Sequence, residues 1–85
     1  MLRIWSVEPP EGTVILRLEG RLIGPWVEEL RRSCDRVLPT GAKLTLDFSE
    51  VSFVDRKGIE LIRILGNRNV ALLNCSAFVA EQLKA

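Results

Sequence analysis

Residues Leu44 to Gly58 read LTLDFSEVSFVDRKG, and the parsing of this stretch decides the fold. Leu44, Leu46 and Phe48 alternate with Thr45 and Asp47, the period of a strand with one face in a core. Ser49 and Glu50 are expected to turn the chain, and Val51, Phe53 and Val54 to press it back into the core. Asp55 then stands immediately before an apolar-periodic run, where a helix N-cap belongs. Asp55, Arg56, Lys57 and Gly58 are thereby placed at the N-terminus of a helix fed by a strand. Function tends to gather in open α/β folds at such a junction, beside the strand carboxyl ends.

Upstream, Leu2 to Val7 alternates moderately well and predicts a strand. Glu8-Pro9-Pro10-Glu11-Gly12 predicts a turn, since two prolines and a glycine cannot continue a ladder. Thr13 to Glu19 predicts a second strand, with Val14, Leu16 and Leu18 on one face, and the short link makes this pair antiparallel. Pro25 suits the first position of a helix. Trp26, Val27, Leu30, Cys34, Val37 and Leu38 recur at steps of three and four, an amphipathic stripe. Glu28 and Glu29 precede Arg31, Arg32 and Arg36, an order that suits the helix dipole and offers Glu28–Arg32 as an i,i+4 pair. This charge cluster reads as a solvated helix face, and Pro39 and Gly41 end the helix.

Downstream, a second helix is predicted from about Arg56 to Leu65. Ile59 and Ile62, with one or both of Leu61 and Leu65, should face the sheet, and Gly66-Asn67 is the stop. Asn69 to Asn74 predicts a short, nearly continuous apolar strand, as expected where both faces are covered. Ser76 could cap a third helix carrying Phe78, Val79 and Leu83. The order is ββαβαβα in one domain, residues 1–85. Helical crossovers imply parallel pairing of the last three strands, with right-handed connections.

The totals narrow the function classes. An apolar fraction of 47% and a charged fraction of 27% are those of an ordinary globular protein. Twelve basic and eleven acidic residues leave a net charge of +1. That balance gives no footing for nucleic acid or a membrane surface. There is no apolar run of the ~18–20 residues that a bilayer span needs, so direct membrane insertion is not expected and a cytoplasmic location is. The two cysteines, Cys34 and Cys75, lack CxxC partners, and histidine is absent. Metal-ligand spacing is missing, and the cysteines read as small buried apolar residues in a reducing compartment. No cofactor is implied.

Catalysis is poorly supplied. There is no glycine-rich phosphate loop, and Gly20 and Gly24 do not make one. Asp47 and Asp55 could form a carboxylate pair, but the simpler reading has Asp47 completing a strand end and Asp55 capping a helix. Arg56 and Lys57 are more informative. Cations in the first turn of a helix are mildly unfavourable, by roughly 0.3–1 kcal/mol each. Two in a row there suggest either an anion-binding corner or long side chains swinging into solvent.

Several stretches resemble the STAS domain, the fold shared by anti-sigma factor antagonists and the cytoplasmic tails of sulfate transporters. Val14-Ile15-Leu16-Arg17-Leu18-Glu19-Gly20-Arg21-Leu22 is similar to the family's opening strand and its G-x-L turn. Leu46 to Asp55 resembles its most characteristic run, a strand followed by apolar-x-apolar-apolar-Asp. Gly58-Ile59 matches the glycine and aliphatic residue of the next helix, and Asn69 to Ser76 the fourth strand and its exit. The resemblance implies an α/β fold of SpoIIAA-like type, with a mixed sheet of four strands and helices packed on it. Because the family usually continues with a further strand and helix, it also implies a C-terminally shortened domain whose uncovered edge admits a homodimer.

The family's switch is an Asp-Ser-Ser/Thr-Gly motif whose second hydroxyl is phosphorylated by a partner kinase. Here it reads Asp55-Arg56-Lys57-Gly58, and Lys57 at the phosphoacceptor-equivalent position cannot be phosphorylated as a Ser or Thr. The resemblance implies a non-catalytic protein–protein interaction module of signalling and regulation. It implies docking through Asp55, Arg56, Lys57 and Gly58, with no switch expected at the usual site. The implied partner is an anti-sigma factor or kinase-like protein. The alternatives are an accessory STAS subunit of a lipid-exporting ABC transporter, or an anion- or nucleotide-sensing domain.

Overall fold

In the computed structural model, residues 2–7 and 12–84 are described. The expected turn over 8–11 lies outside them. The elements are β1 (Leu2–Val7), β2 (Thr13–Leu22), α1 (Pro25–Val37), β3 (Lys43–Val54), α2 (Arg56–Asn67), β4 (Ala71–Leu73) and α3 (Ala77–Lys84), with a 3-10 turn at Leu38–Thr40. The four strands lie in the order β1-β2-β3-β4. β1 runs antiparallel to β2, while β2, β3 and β4 are parallel. Both crossovers step in the same direction, so the right-handed rule sets α1 and α2 on one face of the sheet.

That face holds the core. Leu16, Leu18, Leu44, Leu46 and Phe48 point into it from the strands. Leu30 and Cys34 of α1 and Leu61, Ile62 and Leu65 of α2 close it from above. Ile59 is half-buried against the cluster, while Leu61 and Leu65 both turn inward. α2 runs to Asn67, two residues past Leu65, so Gly66 and Asn67 fall inside the helix.

The stretch Leu44–Val54 differs from its sequence reading. The chain does not turn at Ser49-Glu50; β3 continues to Val54. The pairing with β2 shifts between Arg17 and Glu19 and again between Gly20 and Arg21. Each shift inserts one extra residue of β3 opposite β2, which bends the strand without ending it. The two irregularities re-aim the side chains, so Val51 and Val54 are buried while Phe53 is exposed. Phe53 instead meets Phe78 of α3, ring centroids 6.3 Å apart. Phe78 is likewise exposed; Val79 is the buried residue of α3, with Leu83 half-buried. Ser76 caps this helix as expected, its hydroxyl accepting from the Val79 N–H at 3.1 Å.

β4 is shorter than its apolar run. Asn69 and Asn74, both at positive φ (64° and 60°), bracket it and take the backbone out of the ladder. Its two faces are not both covered, since Ala71 and Leu73 are exposed. They lie on the helix-free side of the sheet, in rungs that run Trp5–Arg17–Asp47–Leu73 and Val7–Ile15–Thr45–Ala71. On α1 the ion pairs are Arg31 with Glu28 and Asp35, and Arg32 with Glu29, so Arg32 reaches back one turn to Glu29 and not to Glu28.

Candidate functional site

The corner at Asp55–Gly58 is built by one carboxylate. Asp55 is the N-cap of α2, its Oδ1 accepting from the Gly58 N–H at 2.8 Å. Its Oδ2 accepts from the Gly24 N–H at 2.9 Å, at the N-terminus of α1. Gly24, at φ 53°, occupies backbone space that favours glycine and supplies no side-chain cap of its own. One aspartate therefore ties together the starts of both crossover helices. The Asp55 N–H donates to the Leu22 carbonyl at 3.1 Å, which anchors the corner to the end of β2.

Gly58 is needed for closeness. A Cβ at this position would stand 2.6 Å from Val54 Cγ1 and 3.0 Å from the Leu22 carbonyl oxygen. Both lie below ordinary contact, so α2 can enter this near the sheet only on a glycine. From the other side, α3 holds Val54. The Gln82 amide accepts from the Val54 N–H at 3.2 Å and donates to the Val54 carbonyl at 2.7 Å, satisfying the edge of β3 where β4 no longer reaches.

Arg56 and Lys57 are exposed on the first turn of α2. Among the described residues neither enters an ion pair. Lys57 borders a groove of about 490 Å3 between α1 and α2. Its apolar lining is Pro25, Val27, Leu61 and Ile64, with Glu28 at its rim. Ile64, 56% exposed, is an apolar residue displayed beside that groove. The four residues singled out in the sequence thus come together, and they divide by role: Asp55 and Gly58 hold the helices, whereas Arg56 and Lys57 face outward. An anion set here would meet the Asp55 carboxylate, which already takes the Gly58 N–H.

Asp47 does not share this corner. It lies within β3 on the helix-free face, nearly buried. Its carboxylate accepts from the Ser49 N–H at 2.9 Å and from the Asn74 side-chain amide at 3.4 Å, with Arg17 at 3.4 Å. The Ser49 backbone bond above all, helped by Asn74 and Arg17, holds it below the usual carboxylate range. It is a bracket between β3 and the exit of β4, not half of an acid–base pair. Cys34 is buried and free, and burial pushes its thiol up to about 11. Cys75 is free and half-buried, its thiol raised by the same cause. Burial thus favours the protonated thiol at both positions. Among the described residues, no group of three or more Cys, Asp or Glu side chains could hold a metal ion.

Three contributors escaped the sequence reading. The Gly24 bond to Asp55 joins residues 31 apart. The Gln82 clamp on Val54 joins residues 28 apart. Ser33, a polar residue on the sheet-facing side of α1, is buried where the stripe predicts only apolar side chains.

The geometry is that of a small α/β module with a helix-start corner at which Asp55 joins α1 and α2. The family model for the STAS domain matches residues 5–85. The chain belongs to that family. Its fold is similar to that of the anti-sigma factor antagonist SpoIIAA in its unphosphorylated form (TM-score 0.77, 23% identity, covering 96% of this chain and 82% of that one). It is also similar to an antisigma-factor antagonist STAS domain from Rhodobacter sphaeroides (TM-score 0.65, 20% identity, 86% of each chain). A third similar structure is an uncharacterised protein with a SpoIIAA-like fold from Shewanella loihica (TM-score 0.62, 14% identity, 91% of this chain and 69% of that one). At these identities the solved structures speak for the fold. No curated protein sequence matches the chain. Among the described residues, no helix is long and apolar enough to cross a membrane.

Proposed function

We propose that this STAS domain is a non-catalytic interaction module. It docks a regulatory protein partner on α2 and the Asp55–Gly58 corner, and no hydroxyl at the usual position switches it. The observation that carries the reading is the exposed Arg56-Lys57 pair at the start of α2, beside an apolar groove and without an ion pair among the described residues. Cations at a helix N-terminus gain nothing from the dipole. Their contribution is to a second molecule, and the Asp55 and Gly58 framework fixes where they stand. Phosphorylation adds negative charge and acceptor oxygens at such a site. Lys57 brings a fixed positive charge and no acceptor, so the partner interaction is constitutive here. The same surface would serve an anti-sigma factor or a transporter subunit, and the identity of the captured protein distinguishes them.

The test is capture of partners from native lysate on immobilised protein, with and without ATP. The reading requires a partner retained equally in both conditions, with no phosphate on the bait by intact-mass measurement. A bait that gains phosphate and releases its partner with ATP would overturn it.

A further inference from the structure

We infer that the cleft between β1 and the C-terminal half of α1 is a binding site for a small amphipathic anion, an apolar body carrying a carboxylate or phosphate head. The cleft encloses about 420 Å3, within the ~300–1,000 Å3 of ordinary ligand pockets. It lies toward the end of α1 opposite the Asp55 corner and does not involve it. Ile4 and Leu16 line it from the strands together with Val14, and Val37 lines it from α1. These apolar side chains suit a hydrocarbon body.

The rim supplies the head-group chemistry. Ser33, buried on α1, lines the cleft with a small polar side chain. Its hydroxyl donates to the Glu29 carbonyl at 3.1 Å and accepts from Arg36 Nη2 at 3.3 Å, steering the guanidinium along the cleft. Among the described residues, Arg36 is the single charged one lining it. It is also the exception on its helix. Glu28, Glu29, Arg31, Arg32 and Asp35 all enter ion pairs, whereas Arg36 has no carboxylate partner among the described residues. The Arg36 guanidinium, with the Ser6 hydroxyl lining the same cleft, is a donor set for an oxyanion; the Ser33 and Thr40 hydroxyls already donate to the Glu29 and Val37 carbonyls.

Decanoate, decyl phosphate, decanol and inorganic phosphate, titrated into the 15N-labelled full chain and followed by NMR, test this. Decanoate or decyl phosphate should shift the amides of Ile4, Val14, Ser33 and Val37 saturably. Decanol should bind about tenfold or more weakly, since it lacks the charge-assisted bond, and inorganic phosphate should not saturate. Arg36→Gln should abolish the preference for the charged ligands over decanol. Ser6→Phe, on the exposed edge strand, should block binding of all three alkyl ligands without entering the core. The inference fails if no alkyl anion binds saturably at millimolar concentration. It also fails if the shifts centre on the helix-free sheet face around Arg17, Asp47 and Leu73, or if Arg36→Gln leaves the anion preference intact.

Discussion

α1 and α2 are helices of similar length, 13 and 12 residues, on the same face of one sheet, and they treat charge in opposite ways. α1 carries three acids and three bases, and among the described residues all but Arg36 are ion-paired. α2 carries Arg56, Lys57 and Arg63 against Glu60, and its two leading cations sit at the unfavourable end of the dipole. α1 has no cap of its own and borrows Asp55, whereas α2 is capped by the residue that precedes it. The difference teaches that the outer face of α1 is largely neutralised within the chain. The start of α2 is rigidly held from below and left unneutralised above.

The most damaging way to erase this contrast is to remove the shared cap. Asp55→Ala deletes acceptors for both helix starts and should cost about 2–4 kcal/mol, read as a fall in urea midpoint at unchanged slope. Asp55→Asn keeps one carbonyl oxygen and should recover part of the loss. Next comes the close approach of α2. Gly58→Ala forces Val54 and the Leu22 carbonyl aside and should cost about 1–3 kcal/mol. Gly66→Ala, in the same helix with open space around it, should be stabilising by up to about 1 kcal/mol. If the two alanines behave alike, the glycine at the corner has no packing role.

Asp47 sharpens the comparison from the other face of the sheet. Its folded pKa lies below the unfolded value of 3.8, so the native state favours the carboxylate. Its contribution is fully present above pH 3.8 and lost as pH falls through the lower folded value. Acid titration of Tm should show a steeper loss in the wild type than in Asp47→Asn, which has no carboxylate to protonate; parallel acid limbs would remove Asp47 from the account. Smaller still is Arg31→Ala on α1. Its pairs are solvent-exposed, so Tm should change little, and the difference should fade in high salt.

The same contrast shows how far the sequence could be read. Leu44 to Phe48 alternates cleanly, Asp55 is a strong cap signal, and α1 and α2 carry obvious stripes. Element order, parallel pairing and the location of the corner were all legible because each rests on local pattern. The continuation of β3 through Ser49-Glu50 was not. Whether a strand turns or bulges depends on its register against β2, a relation between residues about thirty apart. Sequence places Phe53 in the core because large apolar residues usually belong there; the bulges instead turn it onto Phe78 of α3 at the surface. The double use of Asp55 and the Gln82 clamp on Val54 also escaped, since neither a glycine N–H nor a glutamine amide advertises a partner.

The central claim is that Arg56 and Lys57 act on a partner and not on the fold. Thermal melting of Arg56→Ala plus Lys57→Ala, paired with partner capture on the same preparation, tests it most directly. The account predicts a Tm equal to or slightly above the wild type, because two cations leave a helix N-terminus, together with loss of the captured partner. A lowered Tm, or a partner retained at wild-type level, would contradict it.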